Sequence, residues 1–371
     1  MKLAIVIGTR PEIIMATPIV EELKKRKVDH CVIHSGQHYD FEMAKVFFNI
    51  SIKEPDYFLD VVKGNEFQQF GDALEKFTQA FKKIKQDATM VFADPTTPLA
   101  ACIASLKLKI PVIHIESGNR TFDLERTEEI YRIMIDHVSQ MLFCEGEEMK
   151  SNLMKEGIDK KRVFVVGNTK FDMVYKYKKM LIEDILDKIG VTKNEGKTVL
   201  VTFHRQENVD DPAKLSEIAS AITELSRDNT VIFPMHPRFK KRIAEFGIEL
   251  HASNTLKILP PQSYLEFISL IAKSDLVITD SGGVPREALV FNKPTIMYHD
   301  NFDLKKIWKA PLFISGYGKE NLIKLSRKLL RLKEKSYKNP YGDGKAAKRI
   351  VSIILKNKDL LKIPHPMITH S

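Results

Sequence analysis

Leu276-Val277-Ile278-Thr279-Asp280-Ser281-Gly282-Gly283-Val284-Pro285-Arg286-Glu287 reads as a short apolar strand, a turn of small residues and the opening of a helix. Backbone N–H groups and a hydroxyl at such a turn form a nest suited to a diphosphate. Glu287, a turn into the helix, can accept hydrogen bonds from ribose hydroxyls. A purely structural Ser-Gly-Gly turn is the competing reading.

Moving outward, Thr198–Thr202, Thr230–Phe233 and Thr295–Tyr298 read as further strands of the same sheet. The first half repeats the pattern. Strands are expected at Leu3–Ile7, His30–His34, Met90–Ala93 and Val112–Ile115, with helices at Pro18–Lys27, Glu75–Lys85 and Leu99–Leu106. Near-continuous Val/Ile runs separated by helices predict parallel sheets covered on both faces, an α/β fold. Residues 170–197 are charged and helical in pattern, as a connection would be. The division is expected near Gly167-Asn168-Thr169, giving an N-terminal domain of residues 1–168 and a C-terminal domain of residues 169–344. Two doubly wound sheets facing one another would leave a cleft at the carboxyl ends of their strands, where ligands bind in such folds.

The 371 residues suit two domains, and 43% apolar with 29% charged residues is a globular composition. No apolar run reaches the ~18–20 residues that span a bilayer. The apolar core of Met1–Gly8 is shorter than the ~7–15 residues of a signal peptide, and Arg10 follows at once. A cytoplasmic protein is expected. Cys31, Cys102 and Cys144 fit no metal-ligand spacing and read as free buried thiols, so zinc is not expected. The formal charge of +10 comes from lysines spread along helical stretches, without a basic stripe interleaved with aromatics. Nucleic acid is therefore not the expected partner.

Several residues at strand ends can carry chemistry. Gly8-Thr9-Arg10-Pro11-Glu12 links a strand to a helix, and its helix N-terminus favours anionic groups. It matches neither GxGxxG nor a Walker loop, so neither a dinucleotide nor ATP is indicated, and an ordinary βα turn is the alternative. Asp94 and Glu116 follow strands directly, and Glu128 and Glu129 open a helix. Clustered carboxylates can take different pKa values and divide acid and base roles, with N-caps and salt bridges the alternative reading. For Glu129, an ion pair with Arg132 at i,i+3 is the expected role. His204 and His236 follow strands of the second half, where a histidine can bind phosphate or move a proton, although a lone histidine is more often structural.

Together these segments resemble the non-hydrolysing UDP-N-acetylglucosamine 2-epimerase family nearly end to end. The likeness is carried by Gly8–Glu12, Ser35–His38, Asp94–Ala100, His114–Asp123, Glu128–His137, Val166–Thr169, His204–Asn208, Pro261–Tyr264, Asp280–Ala288 and Asn339–Gly344. His204–Pro212 and Phe233–Arg238 look most like the branch acting on UDP-2,3-diacetamido-glucuronic acid. The resemblance implies a GT-B fold of two Rossmann-like domains, with a C-terminal helix at about 345–371 crossing back onto the first. It also implies C2 inversion without a cofactor, by anti elimination of UDP to 2-acetamidoglucal and re-addition on the other face. On this reading Asp94, Glu116, Glu128 and His204 are the catalytic candidates. Arg10, Gln262, Ser281, Gly282, Gly283 and Glu287 hold the nucleotide and diphosphate. The family also suggests a homodimer that supplies a ManNAc-type sugar for surface glycans. Two positions depart from it, with Met15 and Leu304 standing where a lysine and an arginine are usual. A GT-B glycosyltransferase and a non-catalytic UDP-sugar binder are the alternatives.

Overall fold

The computed structural model describes residues 1–36, 55–62, 64–92, 96–191, 196–300, 312–332 and 342–362. The chain divides into two compact units, Met1–Met173 with Tyr341–Ser371, and Val174–Pro340.

In the first unit the strands are β1 (Lys2–Ile7), β2 (Asp29–His34), β3 (Tyr57–Phe58), β4 (Ala88–Phe92), β5 (Val112–Ile115), β6 (Met141–Cys144) and β7 (Val163–Val165). They pair in parallel in the order β3-β2-β1-β4-β5-β6-β7. Leu3, Ala4, Ile5, Val6 and Ile7 are all 0% exposed. Neighbouring residues point to opposite faces of a strand, so both faces of this sheet are covered, as the unbroken apolar run predicts.

The covering helices are α1 (Arg10–Lys25), α2 (Glu66–Ile84), α3 (Thr96–Lys107), α4 (Thr127–Val138), α5 (Glu147–Lys155) and α6 (Thr169–Tyr177), which runs across the boundary between the units. In the second unit the helices are α7 (Ile185–Lys188), α8 (Gln206–Val209), α9 (Pro212–Leu225), α10 (Pro237–Glu245), α11 (Tyr264–Lys273), α12 (Val284–Val290) and α13 (Lys319–Leu330). Its strands are β8 (Thr198–Thr202), β9 (Thr230–Pro234), β10 (Leu256–Leu259), β11 (Leu276–Thr279), β12 (Thr295–Met297) and β13 (Leu312–Ile314). All pair in parallel, in the order β10-β9-β8-β11-β12-β13. In each unit the winding therefore reverses beside the first strand, between β1 and β4 and between β8 and β11. Loops leaving such a pair in opposite directions open a crevice at the strand ends.

Helix starts are where sequence and structure differ most. The expected helix at Pro18 begins instead at Arg10, with Pro18 inside it. Proline favours a first helical turn, which makes Pro18 look like a start. The true start is set by Pro11 and by the Glu12 carboxylate closing a capping box on Thr9. Likewise α2 begins at Glu66 rather than Glu75, under a capping box between Asn65 and Gln68. The charged connection from residue 170 is helical only over α6 and the short α7 among the described residues.

After the second unit the chain returns to the first as α14 (Ala346–Lys356), which packs on α1. Its first amides, from Ala346 and Ala347, donate to the two carboxylate oxygens of Asp172 at 3.0 and 2.7 Å. The three cysteines are free and buried. Burial pushes the thiols of Cys102 and Cys144 up to about 12. Among the described residues no helix is long and apolar enough to cross a membrane.

Candidate active site

In the first unit, the Gly8 and Thr9 amides of the turn after β1 are already taken. Glu12 is fully buried and its Oε2 accepts the N–H groups of Gly8 at 2.8 Å and Thr9 at 2.6 Å. A carboxylate of the protein itself fills the place that the sequence suggests for an anion, because a buried helix start must have its donors satisfied. Gly8 packs closely on Ser35, since a Cβ there would lie 2.3 Å from Ser35 Oγ, which would have to turn away. Arg10 begins α1, and its side chain lies outside the described residues, as does Asp94. Met15, where a lysine is usual in the family, is 1% exposed on the buried face of α1. Leu304 lies outside the described residues.

Glu116 is the first residue after β5. Its φ is +72°, in the left-handed region that non-glycine residues rarely enter. The bend turns two successive amides, those of Glu116 and Ser117, onto one acceptor, the Phe143 carbonyl, at 3.1 Å each. The Glu116 carbonyl accepts from Asn119 Nδ2 at 3.0 Å, and its side chain reaches Lys170 Nζ at 2.8 Å. Strain of this kind persists only where surrounding bonds over-determine it, and it clusters at functional sites.

Those surroundings form a buried ionic network. His114 Nδ1 lies 2.7 Å from Asp136 Oδ1, and both side chains are 0% exposed. Asp136 Oδ2 receives Arg120 Nη1 at 2.8 Å and the Gly118 amide at 3.1 Å. Arg120 also grips Glu156 in a bidentate pair, 2.7 Å for each bond. Burial alone would raise the Asp136 carboxyl, but its pairing with His114 and Arg120 outweighs that and holds it below the ordinary carboxylate range. The loop that carries Glu116 is thereby fixed from β5, α4 and α5 at once.

The two adjacent glutamates opening α4 divide their work. Glu129 is 1% exposed and accepts the amides of Thr121 and Phe122 and the Arg132 guanidinium, all at 3.0 Å. Burial would raise its carboxyl, but these donors hold it below the usual range. The pairing with Arg132 is the one its spacing predicts. Glu128, one residue earlier, is exposed.

In the second unit, Asp280 organises the site. It is 1% exposed, at the end of β11, and accepts the amides of His204 at 3.1 Å and Arg205 at 2.9 Å, plus Asn208 Nδ2 at 3.1 Å. His204 Nδ1 lies 3.4 Å from Asp280 Oδ1, and its ring is centred 5.6 Å from that of His236. Asp280 thus ties the loop after β8 to the turn after β11, across the reversal of winding. In that turn Ser281 N donates to Thr279 Oγ1 at 2.9 Å, and Ser281 Oγ accepts from Gly283 N at 3.3 Å. Gly282 and Gly283 are exposed, and a Cβ at Gly282 would come 3.8 Å from Arg205 Nη2. Glu287 is half-buried in the first turn of α12.

The structure therefore brings His204, Ser281, Gly282 and Gly283 to one strand junction. Gln262 stands apart from that junction in the winding, after β10 at the sheet edge, with its amide on the Pro260 carbonyl at 2.7 Å. Asp280, Arg120, Asp136 and Lys170 carry roles that the sequence did not assign to them. A carboxylate that follows a short strand of mostly apolar residues, as Asp280 follows Leu276-Val277-Ile278-Thr279, is the available signal, since a buried charge must be paired. Among the described residues no group of three or more His, Cys, Asp or Glu side chains is arranged to hold a metal ion.

Two doubly wound parallel α/β units, each with polar groups at the carboxyl ends of its strands, place the chain in the GT-B class. The model of the UDP-N-acetylglucosamine 2-epimerase family matches residues 21–355. A UDP-N-acetylglucosamine 2-epimerase of Methanocaldococcus jannaschii is 38% identical, over 96% of this chain and 100% of its own length. A UDP-2,3-diacetamido-2,3-dideoxy-D-glucuronate 2-epimerase of Pseudomonas aeruginosa is 32% identical, over 96% and 100%. Among solved structures, Methanocaldococcus jannaschii UDP-GlcNAc 2-epimerase in complex with UDP-GlcNAc and UDP matches with a TM-score of 0.82, covering 96% of this chain and 100% of that one at 38% identity. The chain belongs to the UDP-N-acetylglucosamine 2-epimerase family.

Proposed function

We propose that the chain interconverts UDP-GlcNAc and UDP-ManNAc. A carboxylate takes the proton from sugar C2 while the C1–O bond breaks and UDP leaves with the bonding pair, giving 2-acetamidoglucal. UDP then adds back at C1 as a proton is delivered to the opposite face of C2. The observation that carries this reading is Glu116, a carboxylate held in a left-handed turn by a buried network, at a strand end where ligands bind in doubly wound folds.

The C2 proton is a weak acid. Its removal needs a fixed base, and the departing diphosphate needs stabilised negative charge. Glu116, with Asp94 and the exposed Glu128, serves the proton transfers. His204, the Ser281-Gly282-Gly283 turn, Arg10, Gln262 and Glu287 hold UDP. The likeness to a relative solved with UDP-GlcNAc and UDP bound supports this assignment.

Incubation with UDP-GlcNAc in deuterated water is expected to place deuterium at C2 and to yield the manno epimer. Absence of both excludes this substrate, and UDP release only with an added acceptor would favour a glycosyltransferase. UDP-2,3-diacetamido-glucuronate is the second substrate to test, favoured by the Pseudomonas aeruginosa relative. A higher kcat/KM on it would reassign the enzyme to that branch.

We also propose a cytoplasmic homodimer. Phe67, Phe122, Leu124, Ile130 and Met134 are exposed apolar side chains of α2, α4 and the loop before α4. Exposed apolar residues gathered on neighbouring elements of one unit are surface that association would cover. Sedimentation at micromolar concentration is expected to report twice the mass of one chain.

A further inference from the structure

Lys170, the second residue of α6, places Nζ 2.8 Å from Glu116 Oε1, with the two side chains 26% and 11% exposed. Its backbone is anchored. Lys170 N donates to Asn168 Oδ1 at 2.7 Å, and Asn168, 2% exposed, donates through Nδ2 to the buried Glu145 carboxylate. The lysine therefore rises from a fixed base rather than sweeping through solvent.

Several charged groups on elements around Glu116 have bonds of their own. Asp136 of α4 is shared by His114 of β5 and Arg120, Arg120 is shared with Glu156, and Glu145 after β6 is bonded to Asn168. Glu128 opens α4 exposed. Lys170 is paired with Glu116 itself. In a partly buried setting such a pair is screened less than on an open surface, so it biases both the orientation and the charge of the acid.

We propose that Lys170 is a positioning residue for Glu116. Its ammonium holds the carboxylate in one orientation and in its charged form, ready to accept a proton. The proposal rests on the reading of Glu116 as a group that acts at sugar C2. It also explains why the acid sits on a strained turn: the bend after β5 aims the side chain at the start of α6.

The test compares Lys170→Met, which removes the charge at similar length, with Lys170→Arg, which keeps it. Lys170→Met is expected to lower kcat by about 10-fold or more while KM stays within about 2-fold. The acidic limb of the kcat/KM profile should move up by about one pH unit, the low end of the effect of an adjacent cation on a carboxylate. Lys170→Arg should leave that limb in place. A second readout needs no turnover: a 13C-carboxyl NMR titration, with the Glu116 resonance assigned by its loss in Glu116→Gln, should show the same upward move in Lys170→Met. If Lys170→Met fails to fold by circular dichroism, Lys170→Gln is read in its place. A Glu116 titration that superposes on the wild type overturns the proposal. Full turnover in Glu116→Gln instead overturns the reading of the site beneath it, whatever the titration shows.

Discussion

Glu128 and Glu129 are neighbours in sequence with opposite surroundings, one exposed and the other 1% exposed beneath three donors. On a helix, adjacent residues diverge by roughly a quarter turn or more, so one can face solvent while the next faces the protein. Substitution should separate them. Glu128→Gln is expected to lower kcat by about 100-fold, within the range for a positioned acid or base, and to leave the melting temperature unchanged. Glu129→Gln is expected to destabilise the fold by about 2 kcal/mol, because the Thr121 and Phe122 amides and Arg132 lose their shared anion. Thermal melts beside steady-state kinetics check both, and a reversed pattern would exchange the two assignments.

At the scale of elements, each unit has a loop of candidate residues that a buried carboxylate holds in place, Asp136 in the first and Asp280 in the second. Asp280→Asn replaces an oxygen that faces donors with an NH2 group. It is expected to loosen residues 204–208 and to weaken UDP binding about 10-fold by calorimetry, with about 1–3 kcal/mol lost from stability. The loop after β5 has its own weak point in Gly118. That residue has φ +78°, and a Cβ there would lie 2.3 Å from the Met149 carbonyl oxygen. Backbone cannot yield as a flexible side chain would, so Gly118→Ala is expected to destabilise by about 2 kcal/mol or more in urea unfolding. A variant as stable as the wild type would show that the loop has another conformation open to it.

At the scale of the whole molecule, the chain returns after the second unit to place α14 on α1, and Asp172 receives the first two amides of that helix. Burial raises the Asp172 carboxyl to about 6, against the lowering effect of the two amides. A folded pKa above the unfolded value near 3.9 means that the protonated form is the one favoured by folding. The contribution is present in full below about pH 4 and is lost as pH rises through about 6. The stability of Asp172→Asn relative to wild type should therefore rise by about 1–2 kcal/mol between pH 4.5 and pH 7.5. Melts across that range check the sign, and a difference that stays constant with pH would assign Asp172 an ordinary carboxylate.

The unbroken apolar runs of β1, β4, β8 and β11 are enough to determine parallel, doubly covered sheets, because only such sheets bury both sides of a strand. The ordered motifs were enough for the family, since side-chain chemistry at strand ends is written directly in residue types. Helix starts were not legible at Arg10 and Glu66, where capping side chains outweigh the pull of a proline or an apolar period. Which acids are buried beneath donors was, apart from the Glu129–Arg132 pair, decided by tertiary structure. Glu12, Glu129, Asp136 and Asp280 differ from Glu116 and Glu128 by what closes over them, and burial with bound donors depends on residues far away in the chain. Lys170 and Glu116 meet for the same reason: β5 and α6 are brought together by folding, over a distance that no local pattern spans.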